Sequence, residues 1–153
     1  MTDWTSDDSK KFVPGTRSKA RQRDDKEDRT IAYRDWRRTF PKGSPFTTDL
    51  DQIEIRRIDG QLQPVAVLEL TRTDGTGPVG QGYLNAITDR FYKRDGQAAL
   101  AVHLADRLDC KAAIVLFRED LTEFWVFNLS DRDGWFHMTA AQYQRWISRL
   151  GIE

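Results

Sequence analysis

Asp51 and Glu69 stand on two consecutive strand-like runs, and their types and spacing are those of a cation site. Asp49-Leu50-Asp51-Gln52-Ile53-Glu54-Ile55-Arg56-Arg57-Ile58 reads as one strand and Pro64-Val65-Ala66-Val67-Leu68-Glu69-Leu70-Thr71 as the next. Asp59-Gly60-Gln61 forms the turn between them, because glycine supplies the positive φ such a loop needs. With Gly60 as pivot, residues equidistant from it face each other: Ile53 with Val67, Ile55 with Val65, Asp51 with Glu69, Asp49 with Thr71. Side chains alternate between faces along a strand, so these four pairs share one face. Two carboxylates opposite each other across a ladder have Cβ atoms about 5 Å apart and repel. A cation between them removes the repulsion, so the pattern predicts a metal site above an apolar patch, with Asp49 as an accessory acid.

Other chemistry is sparse. His103 and His137 lie on separate elements without ligand spacing, and a lone Cys110 builds neither a disulfide framework nor a cysteine-rich zinc site. Thr73-Asp74-Gly75-Thr76-Gly77 has neither the length nor the lysine of a phosphate loop, and no dinucleotide fingerprint or nucleophile elbow is present. Trp125, Trp135 and Trp146 read as packing residues. The formal net charge is zero, so any contact with nucleic acid must come from local patches. No apolar run approaches the length of a membrane span. The acidic, polar start Met1-Thr2-Asp3-Trp4 is unlike a secretory signal, and with the single cysteine it leads us to expect a cytoplasmic protein.

The elements that must position the acid pair are legible in outline. Residues 1–28 carry charges of both signs with few large apolar residues and read as a flexible charged tail. Its cluster Arg17, Lys19, Arg21 and Arg23 reads as a solvated arm, with phosphate contact as the alternative. Residues 29–153 read as a single domain, long enough for its own core. A short helix from Asp28 carries Ile31, Ala32, Trp36 and Phe40 and stops at Pro41-Lys42-Gly43-Ser44-Pro45, and an opening strand is expected in Phe46-Thr47-Thr48. After the hairpin, a helix from about Gly80 to Arg94 carries Leu84, Ile87 and Phe91. A second from Gln97 carries Leu100, Ala101, Leu104 and Leu108. Ala112 to Phe117 and Phe124 to Leu129 are apolar runs suited to strands. Thr139 caps a last helix with Gln142 three residues on, Tyr143, Trp146, Ile147 and Leu150 form its face, and Gly151 ends it. A hairpin whose second strand crosses through helices to a further strand gives an α/β fold, a mixed sheet with helices packed on it.

The runs Thr48 to Ile55 and Pro64 to Thr71 resemble the core of the PD-(D/E)xK, or restriction-endonuclease-like, nuclease superfamily. There an acidic residue on one hairpin strand and E-x-K on the next are followed by a crossover helix and a further strand. Tyr33-Arg34-Asp35-Trp36-Arg37-Arg38, the alanine- and leucine-rich helix from Gln97, and Ile114-Val115-Leu116-Phe117 also resemble small bacterial and phage members. The resemblance covers about residues 28 to 130. It implies that Asp51, Glu69 and the main-chain carbonyl of Leu70 hold Mg2+ or Mn2+, which activates water against a phosphodiester bond. The partner would be nucleic acid, with DNA foremost. Thr71 occupies the lysine position and offers only a hydroxyl. Arg72 falls on the opposite face, Lys93 on the crossover helix can deliver the missing charge, and Gln97 resembles a hydrogen-bonding glutamine near the site. Three functions stay open: a metal-dependent nuclease; a lapsed nuclease fold binding nucleic acid, a protein partner or a second copy of itself; and a small α/β protein whose acid pair is incidental.

Overall fold

The computed structural model of the chain describes residues 31–45, 48, 50–94 and 96–152. The expected tail over residues 1–28, and Phe46, Thr47 and Asp49, lie outside them. The chain divides into two units, Met1–Thr47 and Thr48–Glu153. In the first, helix α1 (Ile31–Arg38) ends with the Thr39 hydroxyl donating to the Trp36 carbonyl at 2.7 Å. Phe40 then meets the Trp36 ring edge-on at 4.9 Å and lies under the Arg37 guanidinium.

The second unit is a five-stranded mixed sheet flanked by helices. Its strands are β1 (Gln52–Ile58), β2 (Gln61–Arg72), β3 (Lys111–Phe117), β4 (Glu123–Asn128) and β5 (Trp135–Thr139), in spatial order β1-β2-β3-β4-β5. Only β2 and β3 pair in parallel, and their crossover runs through α2 (Gln81–Asp89), a π-helical turn (Arg90–Arg94) and α3 (Gln97–Leu108). Helix α4 (Ala140–Arg149) follows β5. Edge strand β5 was not foreseen. It is five residues long and mostly exposed, and its apolar residues Trp135, Phe136 and Met138 do not strictly alternate with polar ones, so it shows no clear period. Among the described residues no helix is long and apolar enough to cross a membrane.

The hairpin corrects the expected turn and then recovers the expected register. Ile58 pairs with Gln61, so the loop is the two residues Asp59 and Gly60, with φ of 49° and 80°. Two positive φ values in an Asp-Gly pair are what a tight turn matching the strand twist requires. Arg57 then pairs with Leu62 and Ile55 with Pro64, one place off the Gly60 pivot. A bulge at Val65 makes up the difference, and beyond it Ile53 faces Val67 and Gln52 faces Leu68. Proline has no N–H for the ladder, so a bulge beside Pro64 is where the irregularity belongs. The extra residue sends Val65 to the α4 side, where it packs against the cluster of Ala66, Leu68 and Leu150. The expected Ile55–Val65 pair is therefore absent, and the four expected pairs do not share one face.

Each sheet face has its own core. Val67, Ala112, Ile114 and Phe127 pack under Ile87, Phe91 and the alanines of α3. Ala66, Leu68, Val115, Phe124 and Val126 pack under Leu150, Tyr143, Trp146 and Ile147. Helix α3 buries Ala98, Ala101 and Ala105, a stripe of small residues that lets it lie close to the sheet, while the expected core residue Leu100 is exposed. The capping box of α4 forms as expected: Gln142 N donates to Thr139 Oγ1 at 3.2 Å and Thr139 N to Gln142 Oε1 at 2.8 Å. Arg56 reaches from β1 to the other end of α4, its Nε donating to the Leu150 carbonyl at 2.7 Å, where a cation complements the helix dipole.

Candidate functional site

Glu69 follows Val67 by two residues and so faces the crossover helices, near the carboxyl end of β2. There it is 1% exposed. Asp51 is one place beyond the Gln52–Leu68 pair, which brings it level with Glu69, and its Oδ2 accepts a hydrogen bond from Leu70 N at 2.8 Å. That bond ties the exposed Asp51 carboxylate to the residue next to Glu69. Burial first, then the charge of Asp51 and a hydrogen bond with it, push the Glu69 carboxyl up from 4.5 to about 7. Glu69 Oε2 is buried without a hydrogen-bond partner. A buried oxygen left unsatisfied costs about 1–3 kcal/mol.

These donors suit a hard divalent cation. Magnesium takes oxygen ligands and is ordinarily held by one or two carboxylates with several waters, so two carboxylates suffice. Among the described residues no group of three or more acidic, histidine or cysteine side chains gathers, so an ion here would be held by Asp51, Glu69 and backbone such as the Leu70 carbonyl. Asp49 lies outside the described residues.

The structure sets the remaining sequence candidates apart. Thr71 is half-buried on the face of Glu69, and its Oγ1 accepts a hydrogen bond from Arg90 Nη2 at 2.9 Å. The Arg90 guanidinium also lies 4.8 Å from the ring centre of buried Phe91. The cation that reaches Thr71 is thus Arg90. Lys93 sends its ammonium to Asp89 at 3.4 Å, with 78% of its side chain exposed. Gln97 opens α3 half-buried and makes no hydrogen bond to either carboxyl. Arg72 is on the other side of the sheet, paired with Glu119 at 2.9 Å.

Sequence reasoning passed over Arg90, although a signal was there. Successive helical residues step by about 100°. On that wheel Leu84, Ile87 and Phe91 make the buried face, Arg90 borders it, and Lys93 falls nearly opposite. Of the residues read as packing, Trp125 is buried and stacks with His137 at 4.9 Å, while Trp135 Nε1 donates to Thr88 Oγ1 at 3.1 Å. His137 hydrogen-bonds Glu123, which also pairs with Arg118 just past the end of β3, a polar network remote in sequence from the acid pair. Comparison of the chain with protein-family models, with curated proteins and with solved structures finds no match.

Proposed function

We propose that this chain is a metal-dependent nuclease with a restriction-endonuclease-like core, hydrolysing phosphodiester bonds in nucleic acid, with DNA the first substrate to test. The observation that carries this reading is the buried, unsatisfied Glu69 oxygen beside Asp51 at the carboxyl end of β2. Ligand sites in open α/β sheets lie at that end of the strands. Bound Mg2+ or Mn2+ would supply a water of lowered pKa and neutralise charge at the phosphate. Asp51 and Glu69 would hold the ion through their carboxylate oxygens. Arg90, held by Thr71 Oγ1 and the Phe91 ring, would bring a fixed positive charge to the phosphate beside the ion. Thr71 thereby becomes a positioning residue for the charge that the family's lysine would carry. The absence of that lysine favours a second reading, a lapsed nuclease that retains binding alone.

Calorimetry with Mn2+ and Mg2+ and cleavage of single-stranded and duplex DNA and RNA test both readings. The expected result is ion binding by the native chain, none by Asp51→Asn, and cleavage abolished by Asp51→Ala or Glu69→Ala. Arg90→Ala should lower turnover about 10²–10³-fold with a smaller change in KM, as loss of one donor to developing charge does. Arg90→Lys should restore part of it, and Lys93→Ala should change little. Ion binding without cleavage by either the native chain or Thr71→Lys selects the lapsed form. No ion binding overturns the site.

A further inference from the structure

A second site opens at the opposite end of β2. A cavity of about 530 Å³ lies where the first residues of β2, the start of β3 and the outer face of α4 meet. That volume falls within the roughly 300–1,000 Å³ of small-ligand sites. Lys111, Arg145 and Arg149 line it against one carboxylate, Asp109. None of the three cations forms an ion pair or side-chain hydrogen bond among the described residues. In the same unit Arg56, Arg72, Arg90 and Arg118 all hydrogen-bond to protein acceptors. Three unpaired cations around one concavity repel each other and focus a positive potential, and a bound anion relieves both.

The sequence of α4 builds this wall deliberately from its period. Gln142, Arg145, Trp146 and Arg149 recur at three- and four-residue spacing and so form one stripe, beside the Tyr143, Ile147 and Leu150 stripe that packs on the sheet. Trp146 borders both stripes and is half-buried, so its ring is held by packing while one side lines the cavity. Pro64 and Leu150 complete the apolar wall, Gln63 brings a side-chain amide that is both donor and acceptor, and Gln142, its Oε1 held by Thr139 N in the capping box, brings its amide NH2 as a donor. We propose that this cleft binds a nucleoside monophosphate, its phosphate held by Arg145, Arg149 and Lys111, its base against Trp146 and its base edge read by the glutamine amides. Stacking of a base on an aromatic ring beside positively charged groups is the mode single-strand binders use. The ligand has two sources, a free nucleotide or the phosphorylated end of a strand. The proposal stands independently of the acid pair.

Calorimetry on the full chain tests it, with AMP, GMP, CMP and UMP against inorganic phosphate, adenosine, and an oligonucleotide carrying either a 5′-phosphate or a 5′-hydroxyl. At least one monophosphate should bind tenfold or more tighter than phosphate and than adenosine. Arg145→Gln with Arg149→Gln should weaken it at least tenfold, with Lys111→Gln as the milder variant should the pair disturb folding. Trp146→Phe should retain binding, and Asp51→Asn should leave it unchanged. Tighter binding of the 5′-phosphorylated strand than of any free monophosphate assigns a strand end, and the reverse assigns a free nucleotide. No saturation by any monophosphate or by the phosphorylated strand at millimolar concentration overturns the proposal. So does unweakened binding in the arginine variant, or loss of binding in Asp51→Asn.

Discussion

Glu69 is a carboxyl that folding places where its charged form has the fewest partners, and the consequence is measurable without any substrate. Its pKa rises from 4.5 to about 7, with burial the leading cause and the exposed, partly screened Asp51 the next. Between those two values the folded chain binds more protons at this position than the unfolded chain does. Stability therefore falls as pH rises through the window. The contribution is intact below 4.5 and fully lost above 7, a total of about 3 kcal/mol. Urea denaturation of the metal-free protein from pH 4.5 to 8 should show this slope against the background of other groups, and Glu69→Gln should remove it. Saturating Mn2+ should flatten it too, because the ion binds the ionised form and its stabilisation grows with pH. A native chain and Glu69→Gln with the same pH profile would mean that Glu69 is not strained. Residue type and strand alternation suggested the acid pair, but its register came right only through the bulge at Val65. Arg90 was not legible, because strand alternation says nothing about which helical side chain crosses to a strand.

At the scale of elements, the hairpin shows how a right answer can rest on a wrong intermediate. A pivot at Gly60 is one place off for the Asp59-Gly60 loop, and the bulge at Val65 cancels the error before the acid pair is reached. Without that extra residue Asp51 would face Leu68, and the two carboxyls would point to opposite faces of the sheet. The sequence signal for the bulge is Pro64, which removes a ladder donor, but nothing local says which way the chain will absorb it. The bulge also fixes the end of α4, for Val65 lies directly against Gly151. An added Cβ at Gly151 would sit 2.3 Å from Val65 Cγ1, on a backbone with φ of 78°. Gly151→Ala should therefore cost about 2–4 kcal/mol, left-handed strain plus overpacking. Gly134 has φ of 92° with nothing within 4 Å of an added Cβ, so Gly134→Ala should cost only the backbone part, about 1–2 kcal/mol. Equal losses in the two variants by chemical denaturation would remove the packing argument and leave the bulge without this structural role.

For the whole molecule, the deciding fact is that, among the described residues, every strand and every buried cluster comes from one stretch of chain. The sheet, the crossover helices and α4 lie between Gln52 and Arg149, and all three apolar clusters draw their members from Leu50 to Leu150. The acid pair and the basic cleft lie within the same stretch, at opposite ends of β2. Long apolar runs such as Ala112 to Phe117 and the caps of α4 made this α/β core readable, whereas Pro41-Lys42-Gly43-Ser44-Pro45 reads only as a helix stop and does not mark the division near Thr48 as a boundary between units. A unit whose described apolar clusters all draw on its own residues is expected to fold alone. A chain starting at Thr48 should thus unfold in one cooperative transition with the near-ultraviolet signal of fixed aromatic packing, chiefly from Trp125, Phe124 and Tyr143. It should also keep the pH slope of Glu69, because Asp51, Glu69 and the crossover helices that Glu69 faces all come with it. A compact but non-cooperative fragment, with far-ultraviolet signal and no near-ultraviolet signal, would show that Met1–Thr47 supplies packing that the sheet needs. A cooperative fragment lacking the slope would place the cause of Glu69's raised pKa outside the residues that surround it in β1, β2 and the crossover helices.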